Sequence, residues 1–145
     1  MTAAEPYAAL AGYRLPGATV ELGPHTAWLW SHSILAEPVA GEAEPTVGWL
    51  LAMQGLGLPL DDLFALVDAD ARTGVVLGEA ELEFGPPLRV GERYHATATI
   101  VDVVRKTGVR AGTFDRLRLR IVLHDLEDVP VFTLVNHLVF PRADR

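Results

Sequence analysis

The sequence predicts an α+β fold in which an antiparallel β-sheet wraps around one buried helix. The hydrophobic period changes from helical to two near residue 73, and segment 46–56 is apolar nearly all round, as a buried helix is. Short turn sequences separate the four β-type runs that follow residue 73. Because half of the 145 residues are hydrophobic, the chain can form one core, and we expect residues 1–145 to be a single domain.

The first element is a short strand predicted over 18–22. Gly23 and Pro24 follow it directly and end the extended run. Further along, the stretch 36–45 is small, acidic and proline-containing, which is typical of an exposed loop.

Three helices are predicted between the first strand and residue 73. Segment 26–35 is expected to be a short helix whose large apolar residues pack inward: Trp28, Leu29 and Trp30. Segment 46–56 begins at a possible N-cap, Thr46, and is the candidate buried helix. Segment 60–67 has two aspartates in its first turn, where they favour a helix N-terminus.

The first strand after residue 73 is predicted over 75–84. Three glutamates alternate along it on one face: Glu79, Glu81 and Glu83. Apolar residues alternate on the opposite face: Val76, Ala80, Leu82 and Phe84. This alternation predicts a half-buried strand.

Three further strands complete the sheet, at 93–104, 113–124 and 129–140. The first is a long β-branched run and the last is strongly apolar. The middle one sets three arginines, Arg116, Arg118 and Arg120, opposite four aliphatic residues. We expect these arginines to pair with the glutamates of the 75–84 strand.

The net charge of −7 argues against non-specific nucleic-acid binding, which needs a cationic surface. Residues 1–85 carry a net charge of −10 and residues 86–145 a net charge of +3. Two charge-complementary halves of one sheet would explain this distribution, and so would a basic rim that binds an anionic small molecule.

The composition also limits the location and the chemistry. There is no cysteine, so disulfides, thiolate metal sites and cysteine nucleophiles are excluded. The longest apolar run, 47–60, is too interrupted to be a membrane span, and the N-terminus has no signal-peptide pattern. We therefore expect a cytoplasmic protein.

Five short motifs carry a family resemblance that covers roughly residues 10–142. They are GEAELEF at 78–84, PLRVGERY at 87–94, VDVVRKTG at 101–108, GTFD at 112–115 and LVFPR at 138–142. With these motifs the chain resembles the MaoC-like dehydratases, in particular the FAS1-like dehydratase domain. The resemblance implies the hot-dog fold, in which a curled antiparallel sheet wraps around a central apolar helix.

The active hydratases of that family carry a D-x-N-P-x-H signature before the central helix, whose Asp and His act as acid and base on an enoyl thioester. The corresponding segment here, WSHSILAEP at 30–38, lacks it. The resemblance therefore implies a degenerate, substrate-accommodating subunit of an (R)-specific enoyl-thioester hydratase or 3-hydroxyacyl-thioester dehydratase. A dyad-bearing hot-dog partner would supply the chemistry, the ligand would be an acyl-CoA or acyl-carrier-protein thioester, and no cofactor is implied.

Two other functions stay open. The chain could be a stand-alone homodimer with diverged chemistry, a dehydratase or a thioesterase that uses His32 between Ser31 and Ser33. It could also be a non-enzymatic acyl-thioester-binding protein that pairs with a catalytic hot-dog edge to edge. In each case we expect an oligomer or a complex rather than a monomer, because an isolated hot-dog leaves a sheet edge uncovered.

The candidate substrate-binding residues lie in two places. Gln54 could orient a water molecule, and the Gly55 amide could polarise a thioester carbonyl, although it could equally be a helix stop. Three cations near one hairpin could bind phosphates or could be ordinary solvated charges: Arg105, Lys106 and Arg110. The histidine spacings carry no metal signature, so no metal site is predicted.

Overall fold

Five antiparallel strands form one sheet in the order β1-β3-β4-β5-β2. The strands are β1 (Ala18–Glu21), β2 (Val76–Phe84), β3 (Arg93–Gly108), β4 (Gly112–His124) and β5 (Pro130–Arg142). The helices are α1 (Pro24–Ser33), α2 (Val47–Gln54) and α3 (Leu60–Ala65), with 3₁₀ turns at Ala8–Leu10 and Ala71–Thr73. This structure, a computed structural model, describes residues 5–37 and 39–142. The predicted α+β architecture is confirmed, and Pro38, the last residue of the segment compared with the hydratase signature, lies outside the described residues.

The core lies between α2 and one face of the sheet. Val47, Leu51 and Ala52 of α2 are fully buried. They face alternate residues of β4 that are also fully buried: Leu117, Leu119, Ile121 and Leu123. Burying a leucine side chain contributes about 1.5–3 kcal/mol, so this contact between helix and sheet is a main source of stability.

Two glycines allow α2 to lie directly on the sheet. A Cβ atom at Gly48 would be 2.6 Å from the Phe132 ring, and one at Gly55 would be 2.2 Å from the Cβ of Ala96. Neither distance is compatible with a normal atomic contact. Glycine is therefore required at both positions by the close approach of α2.

The prediction that α1 buries all three of its large apolar residues is wrong. Trp28 is 55% exposed and Leu29 is 47% exposed, whereas Trp30 is partly buried against the core. The buried face of α1 consists of Ala27 and Ser31, which are one helical turn apart. Because α1 lies at the periphery of the core, it buries one narrow stripe.

The prediction that β2 is half buried is also wrong. Of its nine residues only Ala80 is partly buried, because β2 is the outermost strand and α2 covers the middle of the sheet. A register shift between Leu77 and Glu79 also means that Val76 does not lie on the predicted apolar face of the strand. Val76 pairs with Val139 and so lies on the glutamate face, while Leu77 lies on the core side.

Within the described residues, no helix has the length and apolar character needed to cross a membrane.

Candidate functional site

An apolar cavity of about 310 Å³ lies beside α2, bounded by α3 and by the β5–β2 side of the sheet. Its lining includes Trp49 and Met53 of α2, Phe64 of α3, and Leu77 and Leu138 of the sheet. Among the described residues, every lining side chain but one is apolar. The size lies near the lower end of the range for small-molecule sites, about 300–1,000 Å³, and the lining suits an acyl chain.

The one polar group in this lining is Asn136, which is 1% exposed. Its Oδ1 accepts a hydrogen bond from the Trp49 indole nitrogen at 3.3 Å, and its Nδ2 donates to the Met53 sulfur at 3.3 Å. A primary amide can make four hydrogen bonds, and sulfur is a weak acceptor. Asn136 therefore has unused capacity to bind a polar ligand atom, such as a thioester carbonyl or a hydroxyl, inside an apolar cavity.

The candidate acid or base, His32, lies in a different pocket. It is exposed at the end of α1, with its ring stacked on Trp28 at 5.0 Å between ring centroids. The pocket measures about 360 Å³ and also includes Ser31, Leu35 and Glu37. Its described lining shares no residue with the lining of the Asn136 cavity.

A third pocket, of about 240 Å³, lies between the loop after α1 and the end of β2. Glu37 lines this pocket as well as the His32 pocket, and Phe84 and Phe132 form part of its apolar wall. Glu44 also lines this pocket, and it accepts hydrogen bonds from the Trp30 indole nitrogen at 3.2 Å and from the Thr46 amide at 2.9 Å, and also from the Thr46 hydroxyl. These bonds show that Glu44 anchors the loop to α1 and α2.

The two predicted binding residues at the end of α2 differ in accessibility. Gln54 is exposed. Gly55 is buried, and its amide donates to the carbonyl oxygens of Leu51 at 3.0 Å and Ala52 at 3.1 Å. In this structure the Gly55 amide therefore ends the helix. Its role in polarising a thioester stays a prediction that would require these bonds to open.

The three cations of the β3–β4 hairpin lie in different surroundings. Arg105 makes a paired ionic contact with the fully buried Asp115, with Nε–Oδ1 at 2.8 Å and Nη2–Oδ2 at 2.9 Å. Lys106, the next residue along the strand, points to the other face, and it and Arg110 are exposed. Phosphate binding by Lys106 and Arg110 stays a prediction, whereas Arg105 is committed to Asp115.

A second arginine holds the other side of Asp115. The Nε atom of Arg142 lies 2.7 Å from Oδ2 of Asp115, and its guanidinium also donates to the carbonyl oxygens of Val67 and Asp68. Burial acts to raise the pKa of Asp115, but hydrogen bonds from Arg105 and Arg142 outweigh it and leave the pKa below its ordinary value. Asp115 thus links three parts of the chain: β3, β5 and the end of the α3 region.

The opposite face of the sheet carries the remaining charge pairs. Asp102 accepts from Arg118 at 2.9 Å and 2.5 Å and from Arg116 at 3.4 Å. The hydrogen bond from Arg118 is the main reason that the pKa of Asp102 is lowered. The expected pairing of these arginines with the β2 glutamates is therefore wrong, because Asp102 lies nearer to them.

The partner of the β2 glutamates is His137 of β5. Its Nε2 lies 2.8 Å from Glu81, and its Nδ1 lies 3.9 Å from Glu79. The ligand atoms of these three residues lie within 4.8 Å of one another, but the two glutamates are exposed and Glu81 already has a hydrogen-bond partner in His137. We assign this cluster to cross-strand pairing.

Two buried polar groups that organise these sites, Asp115 and Asn136, were not predicted as site residues from the sequence. Asp115 lies in phase with Leu117 and Leu119, and Asn136 lies in phase with Leu134 and Leu138. A polar residue at a core-facing position of an alternating strand is the signal that could have identified both.

Comparison with known proteins identifies the fold. No protein-family model matches the chain, and no curated protein sequence matches it either. Solved structures do match.

A chain of the ChsH1–ChsH2 complex from Mycobacterium tuberculosis is 20% identical, with a TM-score of 0.68 over 96% of this chain and 89% of that one. A chain of the truncated HadBC complex, a (3R)-hydroxyacyl-ACP dehydratase from the same organism, is 17% identical, with a TM-score of 0.67 over 90% and 96%. The R-hydratase PhaJ1 from Pseudomonas aeruginosa is 12% identical, with a TM-score of 0.58 over 95% and 86%. Together with the five-stranded sheet wrapped on α2, these matches show that the chain has the hot-dog fold, which it shares with MaoC-like dehydratases.

Proposed function

We propose that this chain is the substrate-accommodating subunit of an (R)-specific enoyl-thioester hydratase or 3-hydroxyacyl-thioester dehydratase. Its ligand is an acyl-CoA or acyl-carrier-protein thioester, and its partner is a dyad-bearing hot-dog subunit. The observation that carries the proposal is the cavity beside α2, whose described lining is apolar except for the amide of Asn136. The cytoplasm remains the predicted location.

Such a cavity can hold an acyl chain but cannot move protons. Adding water across an enoyl thioester needs a general acid and a general base within hydrogen-bond reach of the reacting atoms. The carboxamide of Asn136 neither gains nor loses a proton at neutral pH. The sequence also has no D-x-N-P-x-H segment before α2, and Glu44 in that region is held by Trp30 and Thr46. We therefore infer that the catalytic groups come from a partner.

The structural neighbours support the same assignment. The ChsH1–ChsH2 and HadBC structures are both complexes. HadBC is a (3R)-hydroxyacyl-ACP dehydratase, and PhaJ1 is an R-hydratase. A chain that contributes the cavity while its partner contributes the acid and base would suit a two-component enzyme.

Enzyme reconstitution tests the proposal. The purified chain should hydrate crotonyl-CoA no faster than buffer, and a mixture with a dyad-bearing hot-dog encoded beside it should be active above the rate of that partner alone. Robust hydration by the chain without a partner would contradict the subunit assignment.

A second candidate, diverged catalysis by His32, is favoured by the pocket in which His32 faces the same space as Glu37. If the chain is active alone, His32→Ala should reduce the rate about a hundredfold or more, as expected for loss of a general acid or base. Unchanged activity in this variant would eliminate the second candidate. A chain that binds acyl-CoA but activates no partner would instead be a non-enzymatic binding protein.

A further inference from the structure

The Asn136 cavity has an exposed side and a buried end. Three of its lining residues are exposed, Leu60, Ala71 and Leu77, and a ligand would enter between them. Asn136 is the least exposed residue of the described lining, at 1%. In the sheet it pairs with Leu119 of β4, which is fully buried. The amide of Asn136 therefore lies at the buried end of the cavity.

The orientation of this amide follows from its neighbours. An indole nitrogen can only donate, so the atom that faces the Trp49 nitrogen at 3.3 Å is the carbonyl oxygen Oδ1. The amino group Nδ2 then donates to the Met53 sulfur. These two contacts use two of the four hydrogen-bonding positions of the amide. One N–H donor and one oxygen lone pair remain for a ligand.

The position of Asn136 favours packing by an apolar residue. Its neighbours on the same face of β5, Leu134 and Leu138, are both buried leucines. Burying an amide costs free energy unless good hydrogen bonds replace those to water. The bond from Trp49, at 3.3 Å, is longer than the usual range of about 2.7–3.2 Å, and sulfur is a weak acceptor. An amide here therefore serves ligand binding better than it serves the core.

The thioester end of a substrate cannot reach Asn136. It is attached to CoA or to a carrier protein, and the cavity of about 310 Å³ has room for only about ten groups of the size of a water molecule, at about 30 Å³ each. A partner's acid and base must also reach the carbons next to the thioester. The thioester therefore stays at the exposed side, and the far end of the acyl chain reaches the amide.

We propose that Asn136 selects acyl thioesters whose chain carries an oxygen, as a hydroxyl or a ketone, at or near its far end. A hydroxyl can donate to the free lone pair or accept from the free N–H, and a ketone can accept from the N–H. A methyl end would instead displace water from the amide and leave both positions unpaired, which is costly in a buried site. The identity of the ligand as a thioester rests on the proposed function, whereas recognition of the oxygen rests on the cavity and its amide.

Calorimetric titration of the full chain with three CoA esters of equal chain length tests this selectivity. The esters are decanoyl-CoA, 10-hydroxydecanoyl-CoA and 3-hydroxydecanoyl-CoA, and all described lining residues belong to this chain, so the measurement needs no partner. Wild type should bind 10-hydroxydecanoyl-CoA at least about threefold more tightly than decanoyl-CoA. Asn136→Leu should reverse this preference and change the ratio of the two Kd values at least about tenfold, because the terminal hydroxyl would then be buried without a partner.

Two control variants separate recognition of the oxygen from a general effect on the cavity. Leu138→Val shortens the apolar wall and should weaken both esters alike, so that the ratio of their Kd values stays within about twofold of wild type. Met53→Leu removes the sulfur contact but keeps the amide, so the preference for 10-hydroxydecanoyl-CoA should persist. If Asn136 only held α2 to the sheet, Asn136→Leu would change the affinity for all three esters by the same factor.

The selectivity is overturned if wild type binds decanoyl-CoA as tightly as 10-hydroxydecanoyl-CoA, or if Asn136→Leu leaves the ratio unchanged. A loss of affinity confined to 3-hydroxydecanoyl-CoA would place the reacting carbon at the amide and would overturn it as well. In these outcomes the chain still binds acyl esters, so the proposed function stands. Failure of all three esters to bind would contradict the proposed function itself.

Discussion

Asp115 and Asn136 are both polar residues at core-facing positions of strands, but their hydrogen bonding differs. Asp115 is fully buried and held by two arginines, so its capacity is met. Asn136 has an indole donor and a weak sulfur acceptor. A fully satisfied buried group fixes a structure, whereas a partly satisfied group beside a cavity can bind a ligand. We therefore assign a structural role to Asp115, whereas a binding role for Asn136 is part of the proposed function.

Replacing Asp115 tests its structural role. Asp115→Asn leaves two arginines without their buried anion, and breaking a buried ion pair costs about 3–5 kcal/mol. We expect a loss of about 3 kcal/mol in the free energy of unfolding, measured by urea denaturation. The control is Asp102→Asn, whose ion pair is partly exposed and should cost about 1 kcal/mol or less. Equal losses in the two variants would refute the special role of Asp115.

The same carboxyl predicts a pH dependence. Its pKa in the folded chain lies below the ordinary value of about 3.9, so the unfolded chain takes up the proton first as the pH falls. The stabilisation is present in full above that ordinary value and is lost as the pH falls through the lower folded pKa. Asp115→Asn should therefore have a flatter stability curve than wild type in that acidic range.

At the scale of elements, hydrophobic periodicity predicted the strands and helices but not how deeply they are buried. The strand predicted over 113–124 is observed at Gly112–His124. The strand predicted over 93–104 extends to Gly108, because hairpin hydrogen bonds continue through exposed polar residues that carry no apolar period. Periodicity reports which face of an element is apolar, while coverage of that face depends on the neighbouring layer.

The errors at α1 and β2 have this common origin. Trp28 on α1 and Leu82 on β2 are apolar and follow the expected pattern, but α2 is too short to cover either element. For the same reason, the side-chain pairing at the candidate site could not be predicted from single segments of the sequence. The pairing of Arg105 with Asp115 requires the register of β3 on β4, which no single segment of sequence contains.

The contact between α2 and the sheet can be tested at Gly55. A Cβ atom there would lie 2.2 Å from the Cβ of Ala96, so Gly55→Ala should destabilise the chain by about 1–3 kcal/mol through overpacking. The control is Gly108→Ala, where the nearest heavy atom would be at 3.5 Å and the change should stay within about 0.5 kcal/mol. Thermal unfolding of both variants checks the difference, and an unaffected Gly55→Ala protein would mean that α2 does not lie this close to β3.

At the scale of the molecule, the acidic strand β2 and the basic strand β4 belong to one sheet. The glutamates of β2 and the arginines of β4 lie on the same face. The hydrogen bond with Asp102 is the main reason that the pKa of Arg118 is raised, and Glu81 makes the smallest contribution. The ion pairs of Arg105, Arg116, Arg118 and Arg142 are all made with Asp102 and Asp115 inside segment 86–145, so this arrangement does not consist of two charge-complementary halves. It also leaves the acidic strand at the outer edge, while the apolar cavity lies on the opposite, helix-covered side of the sheet.

The proposed function requires that this cavity receive the acyl chain of the thioester. The most direct measurement uses Leu77→Trp, which fills the cavity from a residue that is 47% exposed, so that folding should survive. The control is Leu126→Trp in the exposed turn before β5. The variants are reconstituted with the dyad-bearing partner, and kcat/KM is measured with crotonyl-CoA and with a long-chain enoyl-CoA.

We expect Leu77→Trp to lower kcat/KM for the long-chain substrate at least about tenfold and to change it for crotonyl-CoA less than about twofold, because contacts to the remote chain contribute binding energy that the chemistry does not require. Leu126→Trp should change neither value. Equal loss with both substrates, or no loss with the long chain, would show that the acyl chain does not enter this cavity and would contradict the assignment of the chain as the substrate-accommodating subunit.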